Sequence, residues 1–172
     1  GIRGVGKTTT ARIVAKMLNC TAFDKDKNPL LDQCDQSQAI AEDRHPDVLE
    51  IDAASNTSVD NAREIIENVK YSPVMGKYKV YIIDEVHMLS QAAFNAFLKT
   101  LEEPPKHAIF ILATTEKHKI IPTILSRCQI FDFSRIRVKD IGEHLLDIAK
   151  KEKVEAEPEA IHMIATKADG AL

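Results

Sequence analysis

Several features that mark other classes of protein are scarce or missing in this chain of 172 residues. It has no tryptophan and only three cysteines, an odd number that argues against a disulfide framework and favours a reducing, cytoplasmic setting. No apolar run is long enough to cross a membrane and no signal-peptide pattern is present, so no membrane contact is expected. The formal net charge of −3 excludes a general basic coat, so contact with nucleic acid requires a local patch or partner chains.

Apolar runs of strand length alternate with segments of helical periodicity through most of the chain. Strands are predicted at residues 48–52, 79–84, 108–113 and 129–133, and helices at 8–19, 60–70 and 90–102, the last with Ser90 as N-cap. Strands separated by helices pair in parallel through right-handed crossovers. The predicted fold class is therefore α/β, a parallel sheet flanked by helices.

Beyond Phe133 the pattern changes to helical periodicity alone. We therefore expect a first domain at residues 1–134 and the start of a small all-helical domain at 135–172. Two helices rarely bury a sufficient core, so we expect this second domain to continue beyond Leu172.

Residues 1–8 read G-x-x-x-x-G-K-T, the pattern of a phosphate-binding loop. Gly1, Gly4 and Gly6 allow successive backbone N–H groups to converge on phosphate oxygens. Lys7 supplies a charge for the β- and γ-phosphates, and the Thr8 hydroxyl is the expected Mg²⁺ ligand. Such a loop normally follows a buried strand, which we expect to precede Gly1. The alternative is a chance glycine-rich turn before a helix.

An acidic pair, Asp84 and Glu85, follows the most apolar predicted strand. The carboxyl end of a buried parallel strand lies at the crevice where α/β proteins bind nucleotides. Asp84 would hold Mg²⁺ and Glu85 would orient the attacking water. An ordinary acidic turn is the alternative, but together with the phosphate loop the pair predicts hydrolysis of ATP or GTP.

Four further polar residues leave two interpretations each. Thr114 and Thr115 end the strand at 108–113, where their hydroxyls either meet the γ-phosphate and attacking water or cap backbone groups. Arg127, just before the strand at 129–133, is either an arginine finger or a surface arginine in a salt bridge. His87 is either a proton shuttle or a residue that positions the loop after Asp84, and because nothing in the local sequence perturbs it, the positioning role is expected.

Five stretches together resemble one family: GKTTTARI (6–13), EIDAASN (50–56), KYKVYIIDEVHMLS (77–90), FLKTLEEPP (97–105) and ILSRCQ (124–129). They are similar to the gamma/tau subunits of bacterial DNA polymerase III, the AAA+ ATPases that drive the sliding-clamp loader. The resemblance implies a P-loop NTPase fold with a helical lid. It also implies a bacterial, cytoplasmic motor that uses ATP and Mg²⁺ to load the sliding clamp onto primed DNA within a hetero-pentamer of loader subunits. A further C-terminal region would contact the polymerase core or the helicase.

The resemblance also implies roles for individual residues. Lys7 and Glu85 would be catalytic, Thr115 would be the sensor, and Arg127 would act in trans on ATP bound by the neighbouring subunit. That role suits an arginine without an obvious partner in its own local sequence. The nucleotide would be held by Gly1, Gly4, Gly6, Lys7, Thr8, Thr9 and Asp84, with Thr8 and Asp84 at the Mg²⁺ ion.

The family's four-cysteine zinc module is degenerate here, in an insertion at residues 20–45. Cys20 and Cys34 match two of its positions, while Leu31 and Ser37 stand where two further cysteines are expected. A closed structural zinc site needs four good ligands, so zinc is not expected. His45 is a conceivable third ligand, but a histidine before a proline is expected at the solvated surface.

Three rival functions remain open. The chain could belong to another AAA+ motor that remodels DNA, such as a Holliday-junction helicase. It could be a loader subunit that supplies an arginine finger and hydrolyses nothing. It could also be a small-molecule kinase, although it has no separate acceptor motif.

Overall fold

The computed structural model describes residues 3–55 and 59–171 of the chain. These residues form two compact units, one of residues 8–130 and one that contains 3–7 and 131–171. Gly1, which the sequence predicts to belong to the phosphate loop, lies outside the described residues.

The first unit is built on a parallel three-stranded sheet, which confirms the predicted α/β class. Its strands, in spatial order, are β1 (Val48–Asp52), β2 (Lys79–Asp84) and β3 (Ala108–Leu112). Asp52 is in register with Asp84, so β1 and β2 end at the same level. The carboxyl edge of the sheet therefore brings together the residues that follow each strand.

Among the described residues up to 130, the α-helices are α1 (Lys7–Asn19), α2 (Asp35–Ala41), α3 (Val59–Val69), α4 (Gln91–Glu102) and α5 (Pro122–Leu125). The predicted bounds of α1, α3 and α4 are confirmed to within one residue. Ser90 caps α4, because its hydroxyl accepts a hydrogen bond from the amide of Ala93 at 3.2 Å.

The central strand β2 is covered on both faces. Val80 and Ile82 are completely buried against Ala11 and Ala15 of α1. The alternate residues of β2 face the opposite way, into a larger cluster that includes Ala62 and Phe97 from α3 and α4. Residues of a strand alternate between its two faces, so a continuous apolar run indicates a strand buried on both sides.

Residues 129–133 were predicted as a fourth strand, and this prediction is wrong. They form no strand, and Ile130 and Phe131 are 46% and 71% exposed. An apolar run becomes a strand only where a neighbouring backbone pairs with it. Within residues 3–55 and 59–171, β3 pairs with β2 alone and residues 129–133 join no ladder.

A buried carboxylate fixes the turn that leads into β2. Asp47 is only 3% exposed and accepts hydrogen bonds from the amides of Val74, Met75 and Gly76 at 2.7–2.8 Å. Burial alone would raise the pKa of Asp47, but the three N–H donors outweigh it and hold that pKa below its usual value. The Asp47 carbonyl also accepts from the amide of Val80 at 2.8 Å, so Asp47 links the starts of β1 and β2.

Asn19, at the end of α1, makes a second link to the same turn. Its side chain is buried, accepts from the amide of Tyr78 at 2.8 Å and donates to the Tyr78 carbonyl at 3.1 Å. A Cβ on Gly76 would lie 2.7 Å from the Asn19 carboxamide oxygen, so this position has no room for a side chain.

The part of the second unit that the structure describes contains two helices, α6 (Val138–Glu152) and α7 (Pro158–Lys167). They pack through the buried side chains of Ile141, Ile161 and Ala165. The helical periodicity predicted after Phe133 is confirmed, while the boundary at residue 134 stays a prediction. No helix in the described ranges has both the length and the apolar character needed to cross a membrane.

Candidate active site

The loop before α1 has the backbone conformation expected of a phosphate loop. Gly4 and Gly6 have φ angles of 72° and 84°, in the left-handed region that side chains disfavour. A Cβ on Gly6 would meet nothing within 4 Å, so backbone conformation is what requires glycine there. The helix begins at Lys7, and the first amides of a helix are available to bind an anion. Thr9 lies exposed in this first turn.

Two of the predicted Mg²⁺ ligands are in direct contact. The Thr8 hydroxyl donates a hydrogen bond to Asp84 Oδ2 at 2.5 Å, joining the first turn of α1 to the end of β2. Both groups offer the hard oxygen atoms that Mg²⁺ prefers. This donor set fits a magnesium ion held between a hydroxyl and a carboxylate.

Glu85 has a strained backbone. Its φ and ψ of 44° and 43° lie in the left-handed region, which costs a residue with a Cβ about 1–3 kcal/mol. The Glu85 amide donates to Asp84 Oδ1 at 2.8 Å, and this bond holds the turn. The backbone therefore turns directly after β2, so that the carboxylates of the consecutive residues Asp84 and Glu85 have different neighbours.

Thr115, which follows β3, holds the Glu85 carboxylate. Glu85 Oε2 accepts from the Thr115 hydroxyl at 2.8 Å and from the Thr115 amide at 3.2 Å. The Glu85 side chain is only 16% exposed. The structure thus brings the predicted sensor and the predicted base together at the carboxyl edge of the sheet.

His87 belongs to a polar network that the sequence does not indicate. Its Nδ1 lies 2.9 Å from the Thr114 hydroxyl and 3.3 Å from Glu85 Oε2, and its Nε2 lies 3.2 Å from Glu116 Oε2. Lys119 contacts the Glu116 carboxylate and holds the pKa of Glu116 below its usual value. Two carboxylates, those of Glu85 and Glu116, therefore contact the ring of His87.

Glu116 is the residue of this network that sequence reasoning missed. The available signal was its position, one residue after Thr115 at the end of a parallel strand. Thr114 takes the capping role, because its hydroxyl accepts from the Glu116 amide at 3.0 Å. The capping interpretation is confirmed for Thr114, while the sensor role of Thr115 stays a prediction.

Arg127 has partners within the chain, and one of them is the salt bridge that the alternative interpretation predicts. It donates to the Thr123 carbonyl at 2.6 Å and forms an ion pair with Glu102 at 3.1 Å. It follows α5, and within the described residues no strand comes after it, so the predicted position just before a strand is wrong. Its side chain remains 41% exposed, and an ion pair at such exposure is weak enough to exchange for another anion.

The insertion at residues 20–45 brings Cys20, Cys34 and Ser37 together in its interior. Cys20 and Cys34 are free and buried, Ser37 is buried, and Leu31 begins a short 3-10 turn. Among the described residues, no cluster of three or more histidine, cysteine or acidic side chains could hold a metal ion.

His45 is not at the surface, so that expectation is wrong. It is 5% exposed, its Nε2 contacts the Gln36 carboxamide oxygen, and its Nδ1 accepts from the Asp47 amide at 3.1 Å. Burial lowers the pKa of His45, while Asp47 opposes that shift. Asp47, which follows Pro46, holds the turn at residues 74–76, and this Asp47 turn is what encloses the ring.

Comparison with known proteins places the chain in a family. A family model described as DNA polymerase III, delta subunit, matches residues 1–137. DNA polymerase III subunit tau of Bacillus subtilis (strain 168) is 51% identical over 172 residues, which is all of this chain and 30% of that protein. The chain therefore spans about a third of the length of this relative.

Solved structures agree on the fold. A DNA polymerase III gamma subunit-related protein of Thermotoga maritima is 26% identical with a TM-score of 0.51, over 95% of this chain and 58% of that one. The Thermotoga maritima RuvB Holliday junction branch migration motor is 20% identical with a TM-score of 0.60, over 99% of this chain and 58% of that one. At that identity the RuvB likeness shows the fold alone, that of an AAA+ P-loop protein. The chain therefore belongs to the DNA polymerase III subunit family matched over residues 1–137, and its similarity to gamma/tau subunits is confirmed.

Proposed function

We propose that this chain is the ATP-hydrolysing motor part of a clamp-loader subunit, which uses ATP to load a sliding clamp onto primed DNA. The observation that carries the proposal is the arrangement at the end of β2. There Asp84 contacts Thr8 of α1, and the next residue, Glu85, contacts Thr115 after β3. One carboxylate faces the predicted metal ligand and the other faces the predicted sensor, as hydrolysis of a nucleoside triphosphate requires.

Binding is assigned to the loop and the first turn of α1. Gly4 and Gly6 let backbone N–H groups turn toward phosphate oxygens, and Lys7 adds a positive charge. Thr8 and Asp84 would hold Mg²⁺, which when bound neutralises charge on the phosphates.

Glu85 is assigned to orient the attacking water and to accept its proton. A general base must be held in position, and the two hydrogen bonds from Thr115 keep Glu85 Oε2 in one place. The strained turn at Glu85 supports this role, because such strain persists where a structure needs a side chain in one orientation.

Arg127 is assigned to act in trans on the nucleotide of a neighbouring subunit. In the isolated chain it is paired with Glu102 and bonded to the Thr123 carbonyl. A phosphate carries more charge than a carboxylate and accepts bidentate bonds from a guanidinium, so it competes well for this exposed side chain. We therefore propose that Arg127 exchanges Glu102 for phosphate on assembly.

The identity to a tau subunit supports the loader over a RuvB-like motor, since the latter resembles this chain at 20% identity. The intact Thr8–Asp84 and Glu85–Thr115 contacts support hydrolysis over a purely structural subunit. Other loader subunits, the clamp and primed DNA are the proposed partners, and a further C-terminal region is the proposed contact for polymerase or helicase.

The test is ATP hydrolysis by the full-length protein assembled with its loader subunits, with and without clamp and primed DNA. Stimulation by clamp and primed DNA together supports the loader. Stimulation by branched DNA without a clamp would point to a remodelling motor. In a parallel binding assay, Lys7→Ala should abolish ATP binding in the subunit that carries it, and unchanged affinity would refute the binding assignment.

A further inference from the structure

One histidine ring contacts both residues that flank Thr115. His87 Nδ1 lies 2.9 Å from the Thr114 hydroxyl, and His87 Nε2 lies 3.2 Å from Glu116 Oε2. Thr115 itself, between these two residues, bonds the Glu85 carboxylate through its hydroxyl and its amide. These three consecutive residues therefore all contact the turn after β2, the outer two through the same ring.

The backbone that carries His87 is itself fixed to the neighbouring strand. His87 lies in a short 3-10 turn, Val86–Met88. The Val86 amide donates to the carbonyl of Ala113, which directly follows β3, at 3.0 Å, and Val86 is only 2% exposed. The turn is thus attached to the end of β3, so the His87 ring is presented to the residues that follow this strand.

The polar contacts around the ring have defined directions. The Lys119 ammonium holds the pKa of Glu116 below its usual value, so Glu116 is a carboxylate that can only accept. It therefore favours a proton on Nε2, the ring nitrogen that faces it. The Thr114 hydroxyl accepts from the Glu116 amide at 3.0 Å, which leaves its own proton for Nδ1 of His87. The ring thus links the side chain of Thr114 to that of Glu116.

Burial makes the loss of these contacts costly. The side chains of His87 and Glu85 are 7% and 16% exposed. A polar group at such a site that loses its partner is not readily satisfied by water. His87 Nδ1 also lies 3.3 Å from Glu85 Oε2, the oxygen that Thr115 holds. Removal of the ring would therefore open a space beside this carboxylate and take away the ring partner of the Thr114 hydroxyl.

We propose, building on the proposed function, that His87 is a positioning residue for ATP hydrolysis. By holding Thr114 and Glu116, its ring fixes Thr115 between them. Thr115 in turn fixes the carboxylate of Glu85, the assigned general base, within the small displacements that catalysis tolerates. His87 contacts neither phosphate nor Mg²⁺ in this assignment and transfers no proton, so its removal should change the rate of hydrolysis and leave the affinity for ATP unchanged.

The first test measures single-turnover hydrolysis and ATP affinity in the assembled loader. His87→Ala should bind ATP as the wild type does and should hydrolyse it about 5- to 10-fold more slowly, as expected for the loss of one or two hydrogen bonds. His144→Ala, at an exposed histidine of α6, is the matched control and should hydrolyse ATP at the wild-type rate. A His87→Ala protein that keeps the wild-type rate overturns the proposal.

A double-mutant cycle tests whether His87 acts through Thr115. In a Thr115→Val background, His87→Ala should cause at most about a twofold further loss of rate, because the hydroxyl that the ring positions is already absent. Losses that multiply in the double variant contradict this path.

Two substitutions of Thr114 test the link between this residue and the ring. Thr114→Val removes the hydroxyl and should slow hydrolysis as much as His87→Ala does. Thr114→Ser keeps the hydroxyl and should stay within about twofold of the wild-type rate. Equal losses in the two variants would mean that packing at Thr114 matters and the hydroxyl does not, which also overturns the proposal.

Hydrogen exchange separates the positioning role from the proposed function, because it needs no ATP. In the full-length protein, His87→Ala should raise the exchange rate of the Thr115 and Glu116 amides by about 5- to 10-fold and leave the amides of β2 unchanged. If β2 also loses protection, the variant has unfolded, and Thr114→Val then provides the same measurement.

The two kinds of failure are distinguishable. If exchange rises as expected but the assembled wild-type loader hydrolyses no ATP, the proposed function fails while the positioning of Thr115 by His87 stands. If the wild type hydrolyses ATP and exchange in His87→Ala stays as in the wild type, the positioning role fails while the proposed function stands.

Discussion

The hydroxyl of Thr115 donates to the carboxylate of Glu85 across the ends of two neighbouring strands, at 2.8 Å. We expect Thr115→Val, which keeps the shape and removes the hydroxyl, to leave ATP binding intact and to slow hydrolysis. A hydrogen bond to a charged group contributes about 1.5–3 kcal/mol, which corresponds to a roughly 10- to 100-fold loss of rate. Single-turnover hydrolysis in the assembled loader measures it.

Thr100→Val in α4 is the matched control, since it makes the same change at a threonine outside this contact, and it should hydrolyse ATP at the wild-type rate. Glu85→Gln should lose more, about 10²–10⁴-fold, because the base itself is removed. A Thr115→Val protein that hydrolyses ATP as fast as the wild type would show that Glu85 is positioned by other groups.

Exchange of the Arg127 ion pair leads to a second prediction. Arg127→Ala should bind ATP normally and should slow hydrolysis in the assembled oligomer. Glu102→Gln removes the carboxylate partner 3.1 Å away and should leave hydrolysis equal to or faster than the wild type, because the guanidinium is then released. Both are measured in mixed assemblies where one subunit carries the change.

The pair of variants distinguishes two roles for Arg127. If the ion pair with Glu102 is merely structural, Arg127→Ala and Glu102→Gln should lower the free energy of unfolding by similar amounts. The rate of ATP hydrolysis should then fall in proportion to that loss of stability. Opposite effects on hydrolysis at equal stability support the role in trans.

Crowding at Gly76 leads to a third prediction. A Cβ at Gly76 would lie 2.7 Å from the carboxamide oxygen of Asn19 and 3.2 Å from His45 Cε1, both on buried side chains. Gly76→Ala should therefore lower the free energy of unfolding by about 1–3 kcal/mol, as overpacking of a filled site does. Urea unfolding measures the change.

Gly142→Ala in α6 is the matched control. Its Cβ would meet Ile161 Cγ2 at 3.7 Å, an ordinary contact, and alanine is the better helix former by about 0.5–1 kcal/mol. We expect this variant to be as stable as the wild type or slightly more stable. Equal losses of unfolding free energy at both glycines would mean that the turn at Gly76 shifts to accommodate a Cβ without strain.

Burial of His45 leads to a prediction on pH. Burial lowers the pKa of His45 in the folded state, so below about pH 6.5 the unfolded chain binds a proton that the folded chain refuses. The stability that neutral His45 contributes is fully present above the pKa of histidine in the unfolded chain. It is lost as the pH falls toward the lower pKa of His45 in the folded state. The free energy of unfolding should therefore decrease between pH 7.5 and 5.5.

His45→Gln tests this, because glutamine does not titrate. We expect the variant to start from a lower stability at pH 7.5, but its further decrease down to pH 5.5 should be smaller than that of the wild type. An identical decrease in both proteins would assign the pH dependence to other groups.

The sheet and the site were largely predictable because they depend on local patterns. The continuous apolar run of β2 identified a buried parallel strand, and Asp84 and Glu85 at its end then had to lie at the carboxyl edge. The contact between Glu85 and Thr115 follows from the same rule, since β2 and β3 are neighbours in the sheet.

The features that were missed depend on contacts between distant segments. Residues 129–133 have a strand-like composition, but a strand requires a pairing partner that composition does not report. His45 is enclosed by Gln36 and by the Asp47 turn, and neither contact has a signature in the sequence around Pro46. The left-handed backbone of Glu85 was equally invisible, because glutamate has no preference for that conformation.

The Asp47 carboxylate has a consequence for where this chain can be lengthened. Extra residues between Val74 and Gly76 would pull backbone amides away from the buried Asp47 carboxylate. Because Asp47 also links the starts of β1 and β2, the alignment of these two strands would be disturbed at the same time. The bend around Asp24 and Asn28 is exposed and closes on its own side chains, so a spliced peptide or a tag there would disturb only that bend. Two surface turns of similar size thus differ sharply in their tolerance to insertion.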